Sequence, residues 1–412
     1  MYAKRRKQLL TMLEQYSVTV LMAGKAPYSI GDAKYPFQVN RSFYYYTGLD
    51  RENLVLVLVK LDENTTKEML FIEPYDELLA KWVGGRIRPK QAREISGIED
   101  IRYLDSLLPS IGTEMNFNGR AVDFVLCGDL TKQELDQPNA TVDLFNKIKE
   151  YQPQAVCTNI YDKICLMRMV KDEKEIELIK KAIEVTQEGI ATMMKYSHAN
   201  VWENELEAYF DFVLKCKQCD KAFTTICATG KNATILHYND NNQYAKTDDL
   251  VLCDLGASYQ YYNADITRTF PVNGKFTNRQ KQLYDIVLRA SKLVEAIAKP
   301  GMTTKDLNDE VLKFYEVELA AIGLLDNGAT VKDYYYHNVS HMLGLEVHDV
   351  TLPDVKLKPG CVITNEPGLY LEDEDIGIRI EDDLLITGDG CINLSAGIIR
   401  EIEDIEAFMN KN

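Results

Sequence analysis

The sequence predicts an α/β protein of the α+β type, folded as two domains over residues 1–168 and 169–412. Three observations point there. A chain of 412 residues is too long for one ordinary core. Up to about residue 165 it alternates helix-period segments with short β-branched and aromatic runs. A long amphipathic helical pattern then opens a second stretch, in which further helices precede or flank strands.

In order, residues 3–16 read as a helix and SVTVLMAG as a buried strand. RSFYYYTGL, NLVLVLVK and EMLFIE carry the aromatic and β-branched density of further strands, the last two joined as a hairpin by the polar turn LDENTT. The Tyr44-Tyr45-Tyr46 run is read either as a strand with one packed and one exposed face or as a ligand-contacting surface. AVDFVLCGD is one more strand and TVDLFNKIKEY a helix. In the second stretch, Ile176, Ile179, Ile183, Thr186, Ile190 and Met193 recur at three- and four-residue intervals beside a charged, solvated face. Helices follow at about 203–215 and 278–298, and another begins at TTKDLNDEVLKFYEVELAAIG, with Thr303 as its N-cap and Asp306 in its first turn.

Composition narrows the function classes. With 46% hydrophobic and 27% charged residues the chain is that of a soluble globular protein. A net charge of −16 argues against nucleic acid as a partner, because phosphate binding needs basic patches. No run of eighteen apolar residues occurs, so no membrane span is expected. The basic start MYAKRRKQLLTMLEQYS is interrupted by Glu14 and Gln15 and reads as an amphipathic helix, not a signal peptide. The nine Cys are therefore expected as reduced thiols in a cytoplasmic protein. Cys216 and Cys219 form the one CxxC; with no second pair to complete a zinc ribbon, they are read as helix-borne structural thiols.

The chemistry concentrates in about one hundred and thirty residues. Asp254 and Asp265 lie in VLCDLGASYQYYNADITRTF, His341 in HNVSHMLGLEVHD, Glu366 in ITNEPGLY and Glu381 in IGIRIEDD. Taken singly, each acid is an ordinary surface residue. Together, two Asp, one His and two Glu suit two divalent ions of the manganese, iron, cobalt or zinc type, bridged by shared carboxylates. Four of the five His (His237, His337, His341, His348) cluster around these acids, and His198 is left as a surface residue. Asp254 sits in an apolar run ended by Gly256, where a carboxylate is expensive to bury without a cation. Strand alternation puts Asp265, Thr267 and Thr269 on one face, and Arg379 on the same face as Glu381, as a partner that would orient a metal ligand.

The segment from His337 to Asp349 matches HxxSHxxGLxxHD, and the ordered set Asp254, Asp265, His341, Glu366, Glu381 is complete. In these motifs the chain resembles the proline-specific peptidases of the pita-bread metallopeptidase family M24; Asn338 stands where that family often has Gly. FYYYTGL and FIEPYDELLAKWVGG are similar to the N-terminal domain of aminopeptidases P. The resemblance implies a curved antiparallel sheet backed by helices, with two similar halves and two divalent metal ions, Mn2+ foremost, at its centre. It makes His341 the single His ligand and places His237, His337 and His348 around the substrate. Glu366 would be both ligand and proton shuttle. The implied reaction is hydrolysis of the first peptide bond of peptides with proline second, by hydroxide formed between the two ions. A homodimer or homotetramer is implied as well. A dipeptidase restricted to Xaa-Pro shares the site and is the nearest rival. Methionine aminopeptidase, metal-free creatinase and a non-catalytic binding module fit less well, because the ligands are all present and an N-terminal domain precedes them.

Overall fold

The computed structural model describes residues 1–116, 124–131 and 138–410. It divides into two compact units, Met1–Met167 and Arg168–Asn412. The first unit runs α1 (Tyr2–Met12), β1 (Ser17–Met22), α2 (Arg41–Thr47), β2 (Val55–Lys60), β3 (Thr66–Ile72), α3 (Glu77–Val83), α4 (Pro89–Ser96), β4 (Asp100–Tyr103), α5 (Leu107–Met115), β5 (Val125–Gly128), α6 (Ala140–Tyr151) and β6 (Val156–Asn159), and α7 (Tyr161–Arg168) follows. Its strands form one mixed sheet in the order β4-β3-β2-β1-β5-β6. The predicted hairpin is there, with Lys60 opposite Thr66 across an antiparallel β2/β3 pair. β2 is buried along its whole length, as an uninterrupted VLVLV run requires, and packs with Val18, Phe71, Phe124 and Phe145 in one core. Of the AVDFVLCGD strand, Ala121, Val122 and Asp123 lie outside the described residues, and the rest forms β5.

Two readings need correction here. RSFYYYTGL is a helix, α2, not a strand. The Asn40 side chain accepts from the Phe43 N–H at its start, and Gly48 closes its end at φ 69° with an N–H bond to the Tyr44 carbonyl. Two well-made caps override the β preference of the aromatic run. Tyr44, Tyr45 and Tyr46 are all buried, and the Tyr45 hydroxyl donates to the Met167 carbonyl at 3.0 Å. The run is packing, with no exposed sheet face. The first helix also stops early: Leu13 is extended and Tyr16 turns through the left-handed region at φ 53° into β1.

The second unit opens with α8 (Glu173–Tyr196), started by a capping box in which Asp172 and Glu175 exchange bonds with each other's backbone N–H. Then come α9 (Glu203–Lys217), β7 (Asp220–Lys221), β8 (Ile226–Thr229), β9 (Leu250–Leu255), β10 (Ala257–Tyr259), β11 (Tyr262–Asn263), β12 (Ile266–Pro271), α10 (Asn278–Ile297), α11 (Thr304–Ala321), β13 (Val362–Asn365), β14 (Gly368–Leu371), β15 (Ile376–Arg379), β16 (Asp382–Ile386), β17 (Cys391–Asn393) and α12 (Ile402–Met409). Thr303 caps α11 as read from the sequence. Every strand pair is antiparallel, in the sections β11-β10-β7, β12-β9-β8, β13-β16-β17 and β14-β15. All nine cysteines are free; Cys216 is on α9, but Cys219 lies beyond its end and is buried, so only one of the CxxC thiols is helix-borne.

Candidate active site

Strand ends, more than strands, carry the acids. Asp254 alone lies within a strand, β9, opposite Thr267 of β12 and Ile226 of β8. Asp265 immediately precedes β12, Glu366 follows β13, and Glu381 precedes β16. The Glu381 N–H donates to the Thr267 carbonyl at 3.0 Å, and the Arg379 N–H to the Thr269 hydroxyl, which stitches these strand ends into one floor. Gly256 makes the β9 turn possible: a Cβ there would stand 1.8 Å from the Ala264 carbonyl oxygen.

His341 does not sit on a helix. Residues 337–342 run irregularly alongside β13, with His341 N–H on the Thr364 hydroxyl and Glu366 N–H on the Val339 carbonyl. His341 Nδ1 lies 3.0 Å from the Met342 carbonyl, which assigns the proton to Nδ1 and turns Nε2 toward the acids. Nε2 is 3.4 Å from Asp265 and 3.5 Å from Glu366. Asp265, His341 and Glu381 each offer a ligand atom within 4.8 Å of one another, a metal-binding cluster.

The electrostatics fit a cation. Burial, and then the neighbouring Asp265, raise Asp254 to about 6 against the pull of Arg379. Burial raises Glu366 to about 7, and it drives Glu381 well upward with help from Asp265 and Glu366. Burial alone would lower His341, but the hydrogen bond to Asp265 and the charge of Glu366 raise it to about 9. Asp254 Oδ1 is buried and, among the described residues, has no hydrogen-bond partner. Acids crowded so that they hold protons, around an unpartnered carboxylate oxygen, are a donor set short of positive charge. A metal ion bound there would supply it.

Arg379, expected to orient a metal ligand, donates from Nη2 to Asp254 Oδ2 at 2.6 Å and makes no direct bond to the Glu381 side chain among the described residues. Its Nε donates to the Thr267 hydroxyl, which in turn donates to Glu381 at 2.6 Å. Nη1 donates to the Tyr370 hydroxyl, and that hydroxyl donates to His337 Nε2 at 2.8 Å. Burial and Arg379 lower His337 to about 3, so it works as a neutral imidazole. Tyr370 is thus a functional residue the sequence did not flag; a lone Tyr in EPGLY has no spacing signal. Asp383, buried behind Asp265 and accepting its N–H, escaped notice for the same reason.

The remaining histidines of the set lie near one another. The His348 ring centre is 4.4 Å from that of His341, and burial followed by His341 lowers its pKa. His237, exposed on the segment after β8, lies close enough to act electrostatically on both His337 and His348. His198 is exposed, bonded to the Ala199 carbonyl.

Comparison with known proteins agrees with this geometry. The model of metallopeptidase family M24 matches residues 177–388, and that of the aminopeptidase P N-terminal domain matches residues 2–120. The chain is 33% identical to the Xaa-Pro aminopeptidase of Haemophilus influenzae and 30% to that of Escherichia coli, over 99% of this chain and 97% of each relative. Among solved structures, a Bacillus anthracis chain described as a candidate aminopeptidase P superposes with a TM-score of 0.96 at 46% identity, covering 100% of this chain and 98% of that one. Zinc-substituted Escherichia coli aminopeptidase P with bound product gives 0.90 at 30%, with the same coverage. With its ligand-bearing strand ends, its metal-binding cluster and these matches, the chain belongs to metallopeptidase family M24, an N-terminal α/β domain preceding a pita-bread catalytic domain.

Proposed function

We propose that this chain is a metal-dependent Xaa-Pro aminopeptidase, releasing the first residue of peptides with proline second. The observation that carries the reading is the Asp265–His341–Glu381 cluster, extended by Asp254 and Glu366, in a chain covered end to end by aminopeptidase P relatives. The five side chains would hold two divalent ions, with manganese as the first choice and cobalt, iron or zinc also suited to an oxygen-rich set. Bound there, such ions lower the pKa of water toward neutrality and polarise a carbonyl.

The chain's own groups do the rest. Glu366 is half-buried beside His341 and would take a proton from water and return it to the leaving prolyl nitrogen. Asp265 and Glu381, which cluster with His341, would hold the ions together with it. His348 and His237 position the scissile peptide and the proline ring. His337, kept neutral and held by Tyr370, lines the pocket. The nitrogen of a Xaa-Pro bond is a tertiary amide with no hydrogen and must take up a proton to leave as proline's secondary amine, which suits a site built around proton delivery. Assembly as a homodimer or homotetramer belongs to the same proposal.

Product analysis on Xaa-Pro dipeptides beside Xaa-Pro tri- and longer peptides, with manganese added, tests it. Release of the first residue from the longer peptides, and little action when alanine replaces the proline, is expected. Cleavage of dipeptides alone would assign a dipeptidase.

A further inference from the structure

Glu203, the first residue of α9, is fully buried, and among the described residues no Lys or Arg pairs with it. Its carboxylate is instead saturated by neutral donors. Oε1 accepts from the Thr229 N–H (2.7 Å), the Thr229 hydroxyl (2.8 Å) and the Asn232 amide (3.1 Å). Oε2 accepts from the Tyr238 hydroxyl (2.8 Å) and the Gln243 N–H (2.9 Å). All of these donors belong to one stretch, 229–243, which leaves β8 and carries His237. One helical turn on, Glu207 accepts from the Asn241 amide, so α9 grips the far end of the same stretch twice. The ring of Tyr238, next to His237, packs in one apolar cluster with Tyr370, whose hydroxyl serves His337 and Arg379.

A carboxylate buried without a cation persists only where hydrogen bonds replace its lost water. Five donors from one loop do so here, and the loop's conformation is tied in return to a group that cannot move. We infer that Glu203 is a positioning residue: it fixes the 229–243 loop so that His237 stands over the metal centre at the height the substrate needs. The inference rests on His237 being a substrate contact. Glu203 itself touches no reacting atom and acts through the loop.

The conservative variant is Glu203→Gln. An amide has one oxygen, and whichever way it turns, N–H groups face N–H groups: at the least, the Gln243 or the Thr229 N–H loses its acceptor. The metal ligands are left alone. The test is a double-mutant cycle on metal-loaded, full-length protein with a Xaa-Pro tripeptide, reading kcat, KM, metal content and melting temperature for Glu203→Gln, His237→Ala and the pair. Expected for Glu203→Gln is full metal content and kcat/KM lower by about tenfold or more. In the His237→Ala background the same change should lower kcat/KM by no more than about twofold, because the group being positioned is gone. Backbone amides of 230–243 should exchange faster with solvent in Glu203→Gln, while those of β9 and β12 do not.

An undiminished Glu203→Gln effect in the His237→Ala background, or unchanged exchange in the loop, overturns the inference. If His237→Ala has wild-type kinetics, the substrate role of His237 is wrong, and loop exchange alone then decides whether Glu203 is the anchor. Should Glu203→Gln fail to fold, Tyr238→Phe removes a single donor. It is expected to lower kcat/KM by about two- to fivefold within the same cycle, and no change there overturns the inference as well.

Discussion

At the scale of single residues, the site separates groups that hold charge from groups that hold position. Asp265 and Glu381 form the metal-binding cluster with His341 and, in the proposed reading, would be shared between ions. Replacing either with Ala is expected to remove the metal from purified protein, measured by elemental analysis. His348→Ala should keep the metal and lower turnover by about a hundredfold or more, the scale of a lost positioning or oxyanion contact. Loss of metal from folded His348→Ala would show that this division of roles is wrong. Arg379 presents a third case, because it touches no proposed substrate atom yet bonds Asp254 directly and Glu381 through Thr267. Arg379→Ala should weaken metal binding by about ten- to a hundredfold in a competition titration, as losses of ligand-orienting partners do. An unchanged affinity would leave Arg379 a purely structural cation. That Arg379 shares a face with Glu381 could be read from alternation along its strand. Its bond to Asp254 could not, because that reach depends on how two strand sections abut.

At the scale of elements, the site depends on loops fastened by buried ions. His348 is followed by Asp349, whose side chain is 1% exposed and lies between Arg168 (2.6 Å) and Lys171 (3.0 Å), both nearly as buried. The loop is so tight there that a Cβ on Gly344 would stand 2.3 Å from Asp349 Oδ2. Asp349→Ala takes from Lys171 the carboxylate it pairs with and leaves Arg168 with Glu346 in place of two acids, and should cost about 3–5 kcal/mol in a denaturant melt. A loss below about 1 kcal/mol would mean that the cations reach solvent in the variant. Elements with strong periodicity or caps were legible: α8, α10 and α11 follow their apolar spacing, and the β2/β3 hairpin follows its polar turn. The RSFYYYTGL segment was not, because its composition favours a strand while its fate is decided by Asn40 and Gly48 at its ends. The Asp265–His341–Glu381 cluster was legible, since residue types and order pointed to it. The Asp349 clamp, Tyr370 and Glu203 were not, since each gains its role from partners that only the fold brings together, up to 181 positions away.

At the scale of the whole molecule, the metal centre ties the stability of the fold to pH in a direction set by its raised pKa values. Asp254 and Glu366 stand at about 6 and about 7 against ordinary values of 3.8 and 4.5, and Glu381 is raised further. A carboxyl held above its unfolded value takes up protons in the folded state that the unfolded chain releases. In metal-free protein its contribution to stability therefore falls as pH rises from about 4 through 7. His341 works in the same sense: raised from 6.5 to about 9, it stabilises fully below pH 6.5 and stops doing so as pH climbs through 9. The depressed acids Asp349 and Asp382 pull the other way only near and below their ordinary 3.8, outside this window. Divalent cations bind the deprotonated ligands, so added metal should reverse the trend. Chelated protein is thus expected to melt at a lower temperature at pH 8 than at pH 5.5, while manganese-loaded protein does not, and the gap between the two widens with pH. The surface charge of −16 adds a repulsion of the same sign, but salt screens it. Repeating both melts in about 0.3 M salt isolates the buried centre. A gap that closes as pH rises, or vanishes in salt, would place the metal's stabilisation at the surface and not at Asp254, Asp265, His341, Glu366 and Glu381.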